Sequence, residues 1–171
     1  MNFLFLLLLF SKDVNKEINQ PFFGVISESI NGLEMCLYTS EIRVLQVEID
    51  GIQAKHFSVA GLSALNRAGV PDLPCLCRYI AIPQGAQAQV TIIDSRTEVY
   101  QDIELAPAPN IPRETDDSPL RYEKDMAIYS RNAYFPGAPV LVSAPLQMRG
   151  VDVVIVNVTP FQYNPVTKEL V

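Results

Sequence analysis

Thirteen prolines among 171 residues are the strongest constraint on what this chain can fold into. The usual share is ~5%, and proline breaks helix interiors while fitting turns and strand ends. Long helices are thereby disfavoured, and the segments between prolines decide the class. Ile42–Ile49 alternates with one phase slip and runs into Asp50-Gly51, the dipeptide best suited to a two-residue hairpin turn. Gln53–Ala60 reads as the returning strand. Cys75–Ile82, Gln87–Asp94, Glu98–Leu105 as partner of the preceding strand, Pro139–Met148 and Val151–Val158 read as further strands, the last β-branched enough for a central position. Gln162–Val171 reads as a hairpin opened by Asn164-Pro165. Gly61–Pro74 reads as a loop. The pattern predicts an all-β chain, an antiparallel β-sandwich of jelly-roll-like type with long proline-rich loops.

Composition narrows the function classes. The chain is 49% hydrophobic and 19% charged, so it can bury a core. A net charge of −6 and pI of 4.7 leave no basic face to neutralise a phosphate backbone, and no nucleic-acid partner is expected. His56 is the only histidine, which removes every site needing two imidazoles. It stands between Lys55 and Phe57 in a predicted strand, and Ala54 and Ser58 beside it suggest no reactive cluster, so a structural or surface role is expected. Asp116-Asp117-Ser118 lacks the spaced acidic pattern of a calcium loop. Asp102 and Glu104 read as solvated edge charges rather than a catalytic pair. No glycine-rich phosphate loop is present. The residues point to no catalytic group, no cofactor and no metal.

Three further features carry expectations. Phe3–Phe10 is an unbroken apolar run, too short to cross a bilayer and of a length found in secretory signals, so no membrane span is expected and residues 1–20 read as a leader or disordered N-terminus ahead of a domain at 21–171. Its other reading is a buried strand. Cys75-Leu76-Cys77 is C-x-C, whose thiols would share one strand face as small core residues, with a disulfide from Cys36 to one of them open if the chain is exported. Ala106–Asp125 is the least regular stretch, with four prolines, three basic and five acidic residues. Loops beyond ~12 residues are more often functional than passive connections.

The punctuation of the chain resembles a known family. Four blocks occur in order: Val47-Glu48-Ile49-Asp50-Gly51; Ala68-Gly69-Val70-Pro71-Asp72-Leu73-Pro74 running to Ile82-Pro83-Gln84-Gly85; Ala106-Pro107-Ala108-Pro109 leading to Tyr129 and Ala133-Tyr134-Phe135-Pro136; and Met148-Arg149-Gly150 through Phe161-Gln162-Tyr163-Asn164-Pro165. Together, over residues 42–171, they resemble the N-terminal propeptide of gingipain-type cysteine peptidases. The resemblance implies a non-catalytic sandwich prodomain that keeps the catalytic domain of its own precursor latent and assists its folding. It implies secretion or surface display by a Gram-negative bacterium, through the periplasm. The Cys/His peptidase domain is not in these residues, so the chain reads as a prodomain truncated near its C-terminal end. The resemblance also implies that a loop residue matching the enzyme's specificity occupies the cleft. Within Ala106–Asp125 the candidates are Arg113 and Arg121, with Arg121 ahead because Tyr122 offers an aromatic anchor beside it. The alternative is a cell-surface adhesion or carbohydrate-binding domain using Tyr122, Tyr129, Tyr134 and Phe135 as a platform.

Overall fold

The computed structural model describes residues 2–11, 22–39, 42–49, 51–64 and 67–171. Along them run β1 (Asn2–Ser11), β2 (Phe22–Ser29), β3 (Gly32–Thr39), β4 (Ile42–Ile49), β5 (Ile52–Val59), β6 (Ser63–Ala64), β7 (Pro74–Ala81), β8 (Gln87–Ser95), α1 (Met126–Tyr129), β9 (Val140–Val142), β10 (Leu146–Met148), β11 (Val151–Val158), β12 (Tyr163–Asn164) and β13 (Glu169–Leu170). The chain is all-β, as the alternation and the prolines predict. Its residues form two compact units, one of Met1–Glu41, Leu76–Thr97 and Val140–Pro160, the other of Ile42–Cys75, Glu98–Pro139 and Phe161–Val171.

In the first unit a four-stranded sheet has the order β2-β3-β1-β8. β2 and β3 pair antiparallel, whereas β1 runs parallel to both β3 and β8. Leu33, Met35 and Leu37 of β3 are buried at alternate positions, the period of a strand with one covered face. The apolar run Phe3–Phe10 therefore lies in a paired strand. A leader removed on export would take out the strand between β3 and β8. The second sheet of this unit centres on β11, which pairs with Leu76–Ala81 of β7 on one side and with β9 and β10 on the other. Its β-branched run buries Val153, Val154, Val156 and Val158. Pro139–Met148, expected as one strand, is two, because Pro145 has no N–H to donate at the break. There Ser143 takes over with both of its groups: its N–H donates to Ile155 O (3.0 Å) and its Oγ accepts from Ile155 N–H (2.9 Å).

In the second unit β4 and β5 form the predicted hairpin. Ile49 opposes Ile52, and Gly51 has φ 77°, the left-handed conformation such a turn requires. Around it packs a core of Phe57, Val59, Leu73, Ile103, Leu105, Phe161, Tyr163 and Leu170. β12 and β13 close the predicted C-terminal hairpin, with Asn164 Oδ1 accepting from Val166 N–H (3.1 Å) across the turn. Glu98–Leu105 is not the strand expected to partner Gln87–Asp94. It belongs to this unit, where Tyr100 and Leu170 exchange backbone hydrogen bonds (2.8 and 2.9 Å) and Ile103 N–H donates to Lys168 O (2.9 Å). Asp102 stands between them at φ 56°, which no regular strand accommodates.

The C-x-C expectation is also corrected. Cys75 is buried and opposes Ser63, whereas Cys77 is exposed and opposes Asn157. β7 changes neighbours between the two thiols, so period-two alternation does not carry across. Cys36 and Cys77 are free thiols, and burial raises the Cys36 pKa above its ordinary value.

Candidate functional site

The suspect segment Ala106–Asp125 divides into a buried root and an exposed arm. Ala106, Pro107 and Ala108 are buried, while every residue from Asn110 to Arg121 is exposed except the half-buried Pro112. The root is ordered because two other segments supply its backbone partners. Lys55 of β5 donates its N–H to Glu104 O (2.7 Å) and accepts from Ala106 N–H (2.9 Å). Gly69–Asp72 does the rest: Asp72 N–H donates to Ala106 O (3.0 Å), Ala108 N–H to Val70 O (2.7 Å) and Gly69 N–H to Ala108 O (2.9 Å). On the outgoing limb Asp125 N–H donates to Gly69 O (2.9 Å), and between the limbs Asn110 N–H donates to Arg121 O (2.9 Å), forming a neck. Both ends of the loop are thus held by one segment, Gly69-Val70-Pro71-Asp72, which by local pattern reads as a loop.

Gly69 is the pivot. Its φ is +83°, and a Cβ there would stand 3.0 Å from Glu123 O and 3.2 Å from Asp125 N. Gly69→Ala is expected to cost roughly 2 kcal/mol, from left-handed strain plus displacement of the outgoing limb. Urea unfolding of the pure variant measures it.

The exposed arm carries Arg113 and Arg121 among Glu114, Asp116 and Asp117. Arg113 lies on its turn, where Arg113 O accepts from Asp116 N–H (2.8 Å). Hydrogen bonds from the Ser118 hydroxyl and backbone N–H (3.0 Å) hold the Asp116 carboxyl below its ordinary pKa. Asp116 thus tightens the arm, and no cluster of three metal-ligating side chains occurs among the described residues. Arg121 sits at the neck through its backbone, and the half-buried Tyr122 lines a cavity of about 290 Å³ with Val47, His56, Asp72, Ile111 and Leu120.

Reasoning from the sequence missed Asp72. Its side chain is 5% exposed, and its Oδ2 lies 2.8 Å from His56 Nδ1. Burial pushes the Asp72 carboxyl above its ordinary 3.8, and the neighbouring imidazole pulls it the other way. The only local signal was an acid flanked by Pro71 and Leu73, both fully buried.

Glu104 anchors the root electrostatically, not as a free edge charge. Burial raises its carboxyl, but hydrogen bonds from Lys124 Nζ (2.8 Å) and Lys168 Nζ (3.0 Å) outweigh that and hold it below 4.5. A lowered pKa stabilises the fold above 4.5, and that stability is lost as pH falls through the folded-state value. Glu104→Gln is expected to cost about 1 kcal/mol near neutrality. The difference from wild type should vanish in acid, as denaturant titrations at two pH values would show.

The aromatic platform is not assembled as a surface. Tyr129 and Phe135 pack against the core, and the Tyr129 hydroxyl points to Leu105 O (3.4 Å). Burial raises the Tyr129 pKa far above its ordinary value, and Lys124 Nζ lies 5.1 Å from the ring centre. Of the four only Tyr134 is exposed, at 38%.

This arrangement has relatives. Residues 32–171 match the Propeptide_C25 family model. The chain is 33% identical over 109 residues to Gingipain R1 of Porphyromonas gingivalis, covering 62% of this chain and 11% of that protein. It is 25% identical over 137 residues to Lys-gingipain HG66 of the same organism, covering 77% of this chain and 8% of that protein. It therefore spans about a tenth of the length of the curated relatives it matches. The solved complex of the Porphyromonas gingivalis RgpB pro- and mature domains superimposes with a TM-score of 0.78 at 25% identity, over 86% of this chain and 78% of that one. A structure described as bearing on the zymogenic latency of gingipain K superimposes with a TM-score of 0.68 at 22% identity, over 92% and 89%, which shows a shared fold. With the family model covering most of its length, the chain belongs to the Propeptide_C25 family of gingipain-type propeptides.

Proposed function

We propose that this propeptide keeps the catalytic domain of a gingipain-like cysteine endopeptidase latent and assists its folding, by placing the arm Asn110–Arg121 in the substrate cleft. The observation that carries the reading is the loop itself, an exposed arm on a root held by backbone hydrogen bonds at both ends. Ordering a loop before binding removes part of the entropy cost of association, so a small arm can bind tightly. The propeptide supplies no reacting group; the Cys/His dyad is the partner's.

The candidates for the cleft are Arg113 and Arg121. A guanidinium entering an acidic pocket makes a bidentate pair that a lysine cannot reproduce. The geometry favours Arg113, which stands on the turn of the arm, over Arg121, whose carbonyl is engaged at the neck. Tyr122, read as an aromatic anchor beside Arg121, lines the cavity next to the neck. The occupied cleft keeps substrate out until the propeptide is released.

The kinship with gingipains supports secretion or surface display. Residues 1–20 remain the candidate leader, and N-terminal sequencing of the exported protein reads whether β1 is kept. For the latency reading, the test is calorimetric titration of the folded chain into a mature gingipain domain. A one-to-one complex is expected, and absence of binding to both R- and K-type domains would count against it. The adhesion alternative loses support because two of its four aromatics pack inward.

A further inference from the structure

We propose that the His56–Asp72 pair positions the arm, by coupling the β4–β5 hairpin to both limbs of the loop. Its consequence for inhibition rests on the latency reading; its consequence for the order of the arm does not.

The coupling follows from what Asp72 does with its two ends. Its backbone N–H holds Ala106 O, at the root of the ingoing limb, and its carboxylate accepts from His56 Nδ1–H. That carboxylate is itself only 5% exposed, on a segment whose Val70, Pro71 and Leu73 are essentially inaccessible to solvent. A buried carboxylate is costly unless partnered, so the place of Asp72 is tied to that of His56. His56 in turn follows Lys55, whose backbone grips Glu104 and Ala106. One strand thus holds the root by adjacent residues, Lys55 directly and His56 through Asp72.

The cavity makes the same pair felt by the outgoing limb. His56 and Asp72 line it together with Pro109 and Ile111 from the ingoing limb and Leu120 and Tyr122 from the outgoing one. The titratable groups among the lining residues are His56, Asp72 and Tyr122 only, so no other charge substitutes for the pair. If Asp72 shifts, the root hydrogen bond and the apolar contacts of both limbs shift with it.

The test uses the whole chain and reads the arm directly, as the rate of tryptic cleavage after Arg113 and Arg121 under native conditions, with urea unfolding run in parallel. His56→Leu is expected to speed cleavage about tenfold, as a segment that opens more often is cut more often. His56→Asn, whose Nδ2 stands where Nδ1 stood, should return it to within about threefold of wild type. The double variant His56→Leu with Asp72→Leu leaves no buried charge behind and so keeps its fold, yet lacks the tether. It should also be cut about tenfold faster. Wild-type cleavage in the double variant would overturn the proposal, whether or not His56→Leu folds; so would failure of His56→Asn to restore order. Inhibition of a mature gingipain domain, measured on the same proteins, should weaken and recover in step. If the wild-type chain does not inhibit at all, the latency reading fails, while the cleavage rates still decide the role of the pair.

Discussion

Arg113→Ala is expected to raise the inhibition constant against a mature R-type gingipain about a hundredfold, roughly 3 kcal/mol, and to leave the propeptide's stability within about 0.5 kcal/mol of wild type. The two effects separate because Arg113 is exposed and its side chain makes no hydrogen bond or ion pair among the described residues, so the fold does not use it. In a desolvated acidic pocket, by contrast, a guanidinium makes two parallel charge-assisted hydrogen bonds, and truncating it leaves the partner carboxylate buried and unpaired. Arg113→Lys should recover only part of the loss, since an ammonium offers a point charge without the planar fork. Arg121→Ala should weaken inhibition much less, because what the neck uses is the Arg121 carbonyl, which alanine retains. Steady-state inhibition with each variant measures the order. A larger loss at Arg121 than at Arg113 would move the cleft residue to the neck.

Tyr163→Ala should have the largest effect on stability, about 4 kcal/mol. Tyr163 is 1% exposed among Leu73, Leu105 and Leu170, and removing its ring opens a cavity that these close-packed neighbours cannot fill. Its hydroxyl adds a second loss. It donates to Ile103 O (2.8 Å) and faces Leu105 N–H (3.4 Å), so it satisfies the backbone just before the loop root. Burial pushes its pKa up to about 12, consistent with a hydroxyl kept protonated as a donor. Tyr163→Phe should therefore cost only about 1 kcal/mol, the hydrogen bond without the ring. Equilibrium unfolding in urea distinguishes the two. Because Leu105 and Ala106 begin the root, the alanine variant should also lose the ordered arm, which the exposed Arg113→Ala keeps.

The parts of the fold that local chemistry decides were legible in the sequence. Asp50-Gly51 and the alternation on either side of it specify the β4–β5 hairpin, and the β-branched Val151–Val158 specifies a central strand. Asn164-Pro165 marks the last turn. What local patterns could not decide is where a segment finds its partner. Glu98–Leu105 looks like a strand beside Gln87–Asp94, yet it pairs with Lys55, Lys168 and Leu170, and Asp102 at φ 56° breaks its regularity. Cys75 and Cys77 differ in burial because β7 exchanges one neighbour for another between them.

Ala106–Asp125 is visible as an unusual loop from its prolines and mixed charge. That its root is buried and clamped is not, because the clamp lies in Gly69–Asp72, distant in sequence and itself loop-like. His56 reads as a structural or surface residue because alternation looks only along its own strand. Asp72 comes to it from elsewhere, and only the fold brings an acid flanked by buried residues to an imidazole. A family resemblance identified the class of protein, but it could not by itself single out the residues that hold the arm.

The most direct measurement of the central claim is inhibition of a mature gingipain domain by the intact chain, compared with a variant in which Asn110–Arg121 is replaced by a short Gly-Ser linker. The neck and root are designed to stay folded in that variant, as urea unfolding would verify. Latency through the arm predicts tight inhibition, competitive with substrate, by the intact chain and its near-complete loss with the linker. Equal inhibition by both proteins, or none by the folded intact chain, would contradict it.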